Sequence, residues 1–530
     1  MDVRIGLLQL VAVLALGFGF ASPAEAQTRP EIEQAMKRAT HFMVDKVANR
    51  GGYVWSCLPD KSRCWGEIEA YPTMIWVQPP GTATMGHLFL DAFHATGDQY
   101  YYQAAAKAAQ ALVVGQHRSG GWNYFIDFAG PRSAQKWYAT VGRNAWRMEE
   151  FQDYSDNATF DDAGTSESMQ LLLRIYLEKR DRRFRPALDK AINFVLKSQY
   201  ANGGWPQRWP RDPRAPDYQT YITFNDDVAA ENIKFLLMVH QTLGDPRAIP
   251  AIRRAMNVFV VTQQPAPQAG WGLQHTLDLK PAGARTYEPR ALSTHTTAAN
   301  LQQLMSFYRW TGDRKFIARI PEALAWLESV RLPKGQERNG RNMPTFIEIG
   351  SNRPLYVHRR GFNIVNGAYY VDYSPEKTIG HYNAFRSVNV ERLWADYRKL
   401  AASTGAEVMR DSPLVSTHRV PLPRYFVTNL DAGSDLNAGG SVKNADRIIA
   451  DLNAQGWWPT PLLATSNPYI GPGSKIVPPG DFSTTHVGDA SDTSPYTTDK
   501  PRTGISTAAF LANMSALIRA LQAHRGGERG

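Results

Sequence analysis

The sequence predicts an all-α protein of repeated helical hairpins, stacked as an α/α solenoid or as a toroid (an incomplete α/α barrel), with long loops at one end. Three observations carry this. A two-residue signal, Gly-Asp or Arg-Asp, recurs at 97–98, 180–181, 244–245 and 312–313, each time at the end of a helical stretch. A Gly-Gly-Trp or Gly-Trp signal follows the next helical stretch, at 120–122, 203–205 and 270–271, with a later Gly456-Trp457-Trp458. Between these signals the apolar residues recur at helical spacing. Met169, Leu172, Leu173 and Tyr176 form one stripe, Ile233, Leu236, Leu237 and His240 a second, and Leu188, Ile192 and Val195 line a partner helix. A hairpin with one apolar stripe cannot bury it alone, and stacking hairpins side by side does. Alternating βαβ patterns are absent, while short strands in the loops remain compatible with the sequence.

In chain order, residues 1–26 read as a secretory leader. Arg4 supplies the positive end, Ile5 to Phe20 an apolar run, and Ala24-Glu25-Ala26 a small-x-small cleavage site. The polar, charged segment from Gln27 to Glu33 favours cleavage over a membrane anchor. The protein is therefore expected to be secreted or periplasmic, with no membrane contact after cleavage. Its two cysteines, Cys57 and Cys64, are expected to form one local disulfide in that oxidising compartment. Residues 27–403 form the predicted toroid and active domain. Residues 404–530 form a loop-rich extension, dense in Pro, Gly, Ser, Thr and Asn over 404–490. The apolar stretch Ser506 to Leu521 adds a final helix to the same body.

The chain has 530 residues, 43% hydrophobic and 20% charged, which excludes a disordered or collagenous chain and fits a large core. The formal charge of +10 favours a polyanionic partner. No zinc-finger, RRM-like or helix-turn-helix pattern supports nucleic acid, so acidic polysaccharide is the expected partner of an exported protein. A monomer is expected.

The candidate site residues lie in loops that lead into helices. Thr159-Phe160-Asp161-Asp162 and Thr223-Phe224-Asn225-Asp226-Asp227 each precede an amphipathic stretch. One Asp suffices to cap a helix. Two adjacent acids, repeated in neighbouring hairpins, exceed that need. They are suited to bind Ca²⁺ through hard oxygens, or to act as acid and base in glycoside hydrolysis. Arg285 and Glu288 lie in a Pro- and Gly-containing loop at the same predicted rim. A fourth segment, 351–361, carries Arg353, Arg359 and Arg360, whose guanidinium groups suit a substrate with one carboxylate per sugar.

These residues resemble a known family. Gly203-Gly204-Trp205-Pro206-Gln207, Ile222-Thr223-Phe224-Asn225-Asp226-Asp227, Gln274-His275, Ala284-Arg285-Thr286-Tyr287-Glu288 and Asn352-Arg353-Pro354 look like the motif series of family 10 polysaccharide lyases, the pectate lyases of the pectic acid lyase type. The resemblance covers about residues 90–365. It implies an α/α toroid that cleaves polygalacturonate by β-elimination with Ca²⁺. By the same resemblance Arg285 is the catalytic base, and Asp161, Asp226 and Asp227 are the metal set. Asp162, Asn225, Glu288, Arg353 and Arg359 would bind substrate, with Arg359 as a carboxylate clamp. The chain departs from the family pattern at Gly283, Thr276, Thr345 and Arg360. Two other readings compete: a metal-independent α/α-barrel glycoside hydrolase using the same aspartates, and a non-catalytic protein that binds acidic polysaccharide.

Overall fold

The computed structural model describes residues 28–142, 149–360, 368–379, 383–415, 420–428, 445–462 and 502–527. The expected leader and most of the loop region over 404–490 lie outside them. α1 (Arg29–Phe42) is followed by four helical hairpins. These are α2 (Thr82–Thr96) with α3 (Gln99–Val114), α5 (Gly164–Lys179) with α6 (Arg185–Ser198), α7 (Val228–Leu243) with α8 (Ala248–Val261), and α9 (Thr294–Thr311) with α10 (Ile320–Ser329). A short α4 (Pro131–Thr140) lies in the loop after the first hairpin. α11 (Val390–Ala402), α12 (Gly405–Val408), α13 (Ala445–Ala450) and α14 (Thr507–Gly527) complete the set. α2 packs on α5, α5 on α7 and α8 on α9, while α14 packs on α1 and α2. The all-α toroid expected from the sequence is the fold observed.

The recurring signals have local physical causes. Gly97, Gly244 and Gly312 end their helices in the left-handed conformation, at φ 80°, 69° and 64°, and Arg180 does the same at φ 53°. The following aspartates turn the chain into the next segment: Asp98, Asp181, Asp245 and Asp313 accept hydrogen bonds from the amides of Tyr100, Arg183, Arg247 and Lys315. The tryptophans pin each loop to the end of the helix before it. The indole N–H of Trp122 donates to the Leu112 carbonyl, that of Trp205 to Val195, Trp271 to Phe259 and Trp458 to Ile448. Each satisfies a carbonyl that the helix end would otherwise leave open.

The glutamines before these turns act between hairpins. Gln116 Nε2 donates to Gly120 in its own turn and to Ala187 at the start of α6. Gln199 joins Gly203 to Ala251 of α8, and Gln263 joins Ala269 to Arg319 beside α10. Gly120 has φ 110°, and a Cβ there would lie 2.3 Å from the Lys190 carbonyl oxygen of α6. A side chain at 120 would thus both strain the turn and push the next hairpin away. The turn at Gly456 meets α1 in the same manner, against the Arg38 carbonyl. The C-terminal unit therefore joins the ring ahead of α1.

The loops are linked by short antiparallel ladders. Residues 158–159 pair with 208–209, 222–223 with 274–275, and 292–293 with 346–347. The longest pairing joins Pro354–Arg360 to Ala368–Asp372. Cys57 and Cys64 form the expected disulfide across a paired position of two short strands. Among the described residues no helix is long and apolar enough to cross a membrane.

At the opposite ends of the inner helices, Asp91 of α2 is fully buried. It accepts from Arg174 Nη2 at 2.8 Å and from the amides of Phe426, Val427 and Thr428. One carboxylate thus ties segment 420–428 to two hairpins. Asp91→Ala leaves a buried guanidinium and three amides without their acceptor, and is expected to cost about 3–5 kcal/mol. A denaturation midpoint unchanged from wild type would contradict this.

Candidate active site

Two equivalent turns start the site. In the first, Thr159 ends a two-residue strand, Phe160 is buried against Phe194 of α6, and α5 begins at Gly164. In the second, Thr223 ends a strand, Phe224 is buried against Phe259 of α8, and α7 begins at Val228. Both turns hold two consecutive residues in the left-handed region: Asp162 and Ala163 at φ 50° and 56°, Asp226 and Asp227 at φ 50° and 53°. Asp tolerates this conformation better than most residues, but such strain persists only where the surroundings impose it. No side chain caps α5 or α7 by hydrogen bond. The acids of these turns are therefore not spent on helix capping.

Arg285 reaches these turns from a third loop. The Arg285 amide donates to Glu288 Oε2 at 2.9 Å, and the Glu288 amide donates back to the Arg285 carbonyl at 2.8 Å. This reciprocal turn aims the guanidinium into the ring. There Nη1 donates to Glu288 Oε1 at 3.0 Å, Nε lies 3.3 Å from Glu150 Oε2, and Nη2 pairs with Asp161 Oδ2. Arg285 is 4% exposed. Tyr124 Oη donates to Asp161 Oδ2 at 2.6 Å, and Tyr287 Oη to Glu150 Oε2 at 2.8 Å. Asn225 Nδ2 donates to Asp226 Oδ2 at 2.7 Å and lies 3.4 Å from Glu288 Oε1. The two aspartate turns and the arginine loop are thus one network.

The electrostatics are lopsided. Glu67, Glu150, Asp161, Asp162, Asp226 and Glu288 gather around the guanidinium of Arg285. Burial, the largest single influence, would raise Asp161, but Arg285 together with hydrogen bonds such as that from Tyr124 outweighs it and holds the carboxyl at about 2. Asp162 is pushed well above the carboxylate range by burial, then by Asp161 and Glu67. Asp226 is pushed up by burial, then by Asp162 and Asp161. Both are reached by solvent while surrounded by protein, as on the floor of a groove. Glu67 rises to about 8 through burial and then Glu150, although Gln78 Nε2 donates to it at 2.9 Å. Arg285 is held protonated: burial would lower it, but Asp161 and Glu288 raise it well above its ordinary value. Among the described residues the partners paired with this guanidinium are carboxylates.

The donor set suits a hard cation. Asp161 Oδ1 is buried without a hydrogen bond, and the Asp162 and Asp226 carboxyls repel each other. Among the described residues no three His, Cys, Asp or Glu groups already converge as a metal cluster. A cation here would complete its shell with substrate oxygens and water. Asp227 is exposed at the start of α7.

The structure brings together Arg285, Glu288, Asp161, Asp162, Asn225 and Asp226. Arg353 lies elsewhere, exposed and stacked over Tyr373. The backbone of Arg359 pairs with Tyr369, and its side chain lies outside the described residues. Glu150, Glu67 and Tyr124 are site residues that the sequence reading missed. Tyr124 follows the tryptophan of the first Gly-Gly-Trp signal by two residues, a usable signal, whereas Glu67 and Glu150 sit in loops with no recurring pattern.

Residues 130–380 match the family described as pectic acid lyase, the family that the motif order resembles. Among curated proteins none matches the chain. A mutant of a family 10 polysaccharide lyase from Cellvibrio cellulosa, in complex with trigalacturonic acid, is 18% identical, over 62% of this chain and 97% of that one, with a TM-score of 0.37. The cellobiose 2-epimerase of Spirochaeta thermophila is 13% identical over 93% and 99% of the two chains, with a TM-score of 0.39. An α-1,6-mannanase from a Salegentibacter species is 12% identical over 93% and 98%, with a TM-score of 0.37.

Proposed function

From the premise that residues 130–380 are of the pectic acid lyase family and make this enzyme a polysaccharide lyase, we propose that it is a pectate lyase. Its substrate is a polygalacturonate-like acidic polysaccharide, its reaction is Ca²⁺-assisted β-elimination, and Arg285 is the base. One observation carries the reading: Arg285 meets Asp161, 124 residues earlier in the chain, in a buried ion pair beside the solvent-reached carboxylates of Asp162 and Asp226.

In β-elimination a base removes the C5 proton, α to the uronate carboxylate. The C5–H electron pair then forms the C4–C5 double bond as the C4–O bond breaks, and the departing oxygen takes up a proton. Charge accumulates on the carboxylate, so cationic groups at that point lower the barrier. Asp161, Asp162 and Asp226 would hold the ion, with Asn225 and Glu288 fixing Asp226 and Arg285 around it. Held by these carboxylates, Ca²⁺ would supply Lewis-acid chemistry toward the uronate carboxylate and would offset the acidic charge that keeps Arg285 protonated.

Arg285 takes the proton at a guanidine nitrogen, which requires its neutral form. Asp161, Glu150 and Glu288 oppose that form, so Arg285 becomes a base only as their charge is compensated. The rate should accordingly climb with pH through the alkaline range; a profile flat from neutral to alkaline pH would contradict Arg285 as base. Activity on a polymer outside the cell also requires export, which the leader expected over 1–26 would supply.

The test is to incubate purified protein with polygalacturonate, with Ca²⁺ or with chelator, and to follow ultraviolet absorbance of the 4,5-unsaturated product. Metal-dependent absorbance is expected. New reducing ends without absorbance would indicate hydrolysis, and retained affinity without either would indicate binding alone.

A further inference from the structure

The strand Pro354–Arg360 has two differently used faces. Leu355 and Val357 pack with Tyr287 and Phe346, on the side of the arginine loop. Tyr356, of opposite parity, packs with Leu332 and Phe385. On this second side a cleft of about 430 Å³ opens between Gln336, Arg338, Arg353, Tyr356, Tyr373 and Phe385. None of the groove carboxylates lines it.

Its chemistry is specific. The Arg353 guanidinium lies over Tyr373, 3.3 Å from the ring centroid, and makes no hydrogen bond to a described residue. The cation–π contact holds the guanidinium at the cleft wall, where its N–H groups can meet a ligand. Tyr373 is itself oriented, because its Oη donates to Glu348 Oε1 at 2.9 Å. Arg338 donates to Glu376 Oε1 at 3.2 Å, an exposed pair of the kind that contributes little and gives way to a better acceptor. Tyr356 and Phe385, 5.7 Å apart, form the apolar wall. Stacked guanidinium and aromatic rings side by side match a sugar that carries an apolar C–H face and a carboxylate.

We propose that this cleft is a second binding site for an oligouronate, separate from the Arg285 groove, with Arg353 and Arg338 taking one carboxylate and the exposed Tyr373 one pyranose face. The proposal rests on the reading of the substrate as an acidic polysaccharide, and adds a site at which the polymer is held without being cleaved. Such a site raises the local concentration of a long chain at the enzyme without adding a catalytic contact.

The test uses the full chain carrying Arg285→Gln, in which turnover is expected to be slow, titrated calorimetrically with hexagalacturonate in chelator. Adding Arg338→Ala and Arg353→Ala should remove one saturable site. An identical titration with and without these two changes would overturn the proposal, as would the absence of any binding by the Arg285→Gln protein. An uncharged galactose hexamer should bind to neither protein; equal binding of that hexamer would overturn carboxylate recognition. In the otherwise unaltered enzyme, Arg338→Ala/Arg353→Ala should raise KM for long polygalacturonate roughly tenfold, with the trimer affected less. An equal rise for trimer and polymer would show one continuous site and overturn a separate cleft. Failure of the wild type to form unsaturated product would defeat the lyase reading while leaving the oligouronate titration decisive for the cleft.

Discussion

Arg285→Gln should lower kcat on polygalacturonate by about 10²–10⁴-fold, the contribution typical of a positioned general base. Glutamine keeps a planar donor near Glu288 and Asp161 but can neither carry the charge nor take a proton. The steep alkaline rise of the rate should vanish with it. Because the substitution leaves Asp161, Glu150 and Glu288 without their shared cation, the fold must be checked by circular dichroism beside the kinetics. A folded variant with activity within tenfold of wild type would remove Arg285 from the chemistry. A large loss that leaves the pH profile unchanged would assign it an electrostatic role instead of proton abstraction.

The second large effect has opposite signs with and without calcium. Asp162 and Asp226 sit in a crowded acidic groove and are both pushed well above the carboxylate range. For an acid whose folded pKa is raised, the folded state binds more protons than the unfolded one. Stability is then present at low pH and lost as pH rises from the ordinary carboxylate range through the raised value. Asp162→Asn/Asp226→Asn should therefore raise the Tm of the chelated protein at neutral pH and flatten its decline with pH. The same variant should lose the stabilisation that Ca²⁺ gives the wild type, and its activity should need at least about a hundredfold more Ca²⁺, since ligand charge sets affinity for this ion. A variant less stable than wild type in chelator, yet still stabilised by Ca²⁺, would show that these acids are structural. The trade is the one expected of a functional cluster, in which repulsion tolerated in the fold serves the bound state.

The legible parts of this fold are those with local causes. A left-handed residue at a helix end, an Asp that turns the chain, a glutamine that spans two helices and an indole that meets a carbonyl about ten residues back all recur in the first three hairpins. Their repetition announced the toroid. The paired acids were legible for the same reason: Asp161-Asp162 and Asn225-Asp226 occupy one position in two copies of a unit. Glu67 and Glu150 were not legible, because nothing repeats around them and their importance comes only from lying beside Arg285. Arg353 shows the converse. Its motif neighbourhood pointed to the groove, but its side chain lines a different cleft with Arg338, Tyr356, Tyr373 and Phe385, where none of the groove carboxylates lies.

What the sequence determined by itself is thus the repeat, the all-α ring and the residue types that each loop offers, since these follow from periodicity and short-range hydrogen bonds. The tertiary structure decided which loops meet. Asp161 and Arg285 are 124 residues apart and share no local constraint. Only the stacking of hairpins around a common core brings their charges within contact, and only that assembly buries and crowds the carboxyls so that Asp161 is low, Asp162 and Asp226 are high despite Arg285, and the guanidinium is held protonated until its partners are compensated.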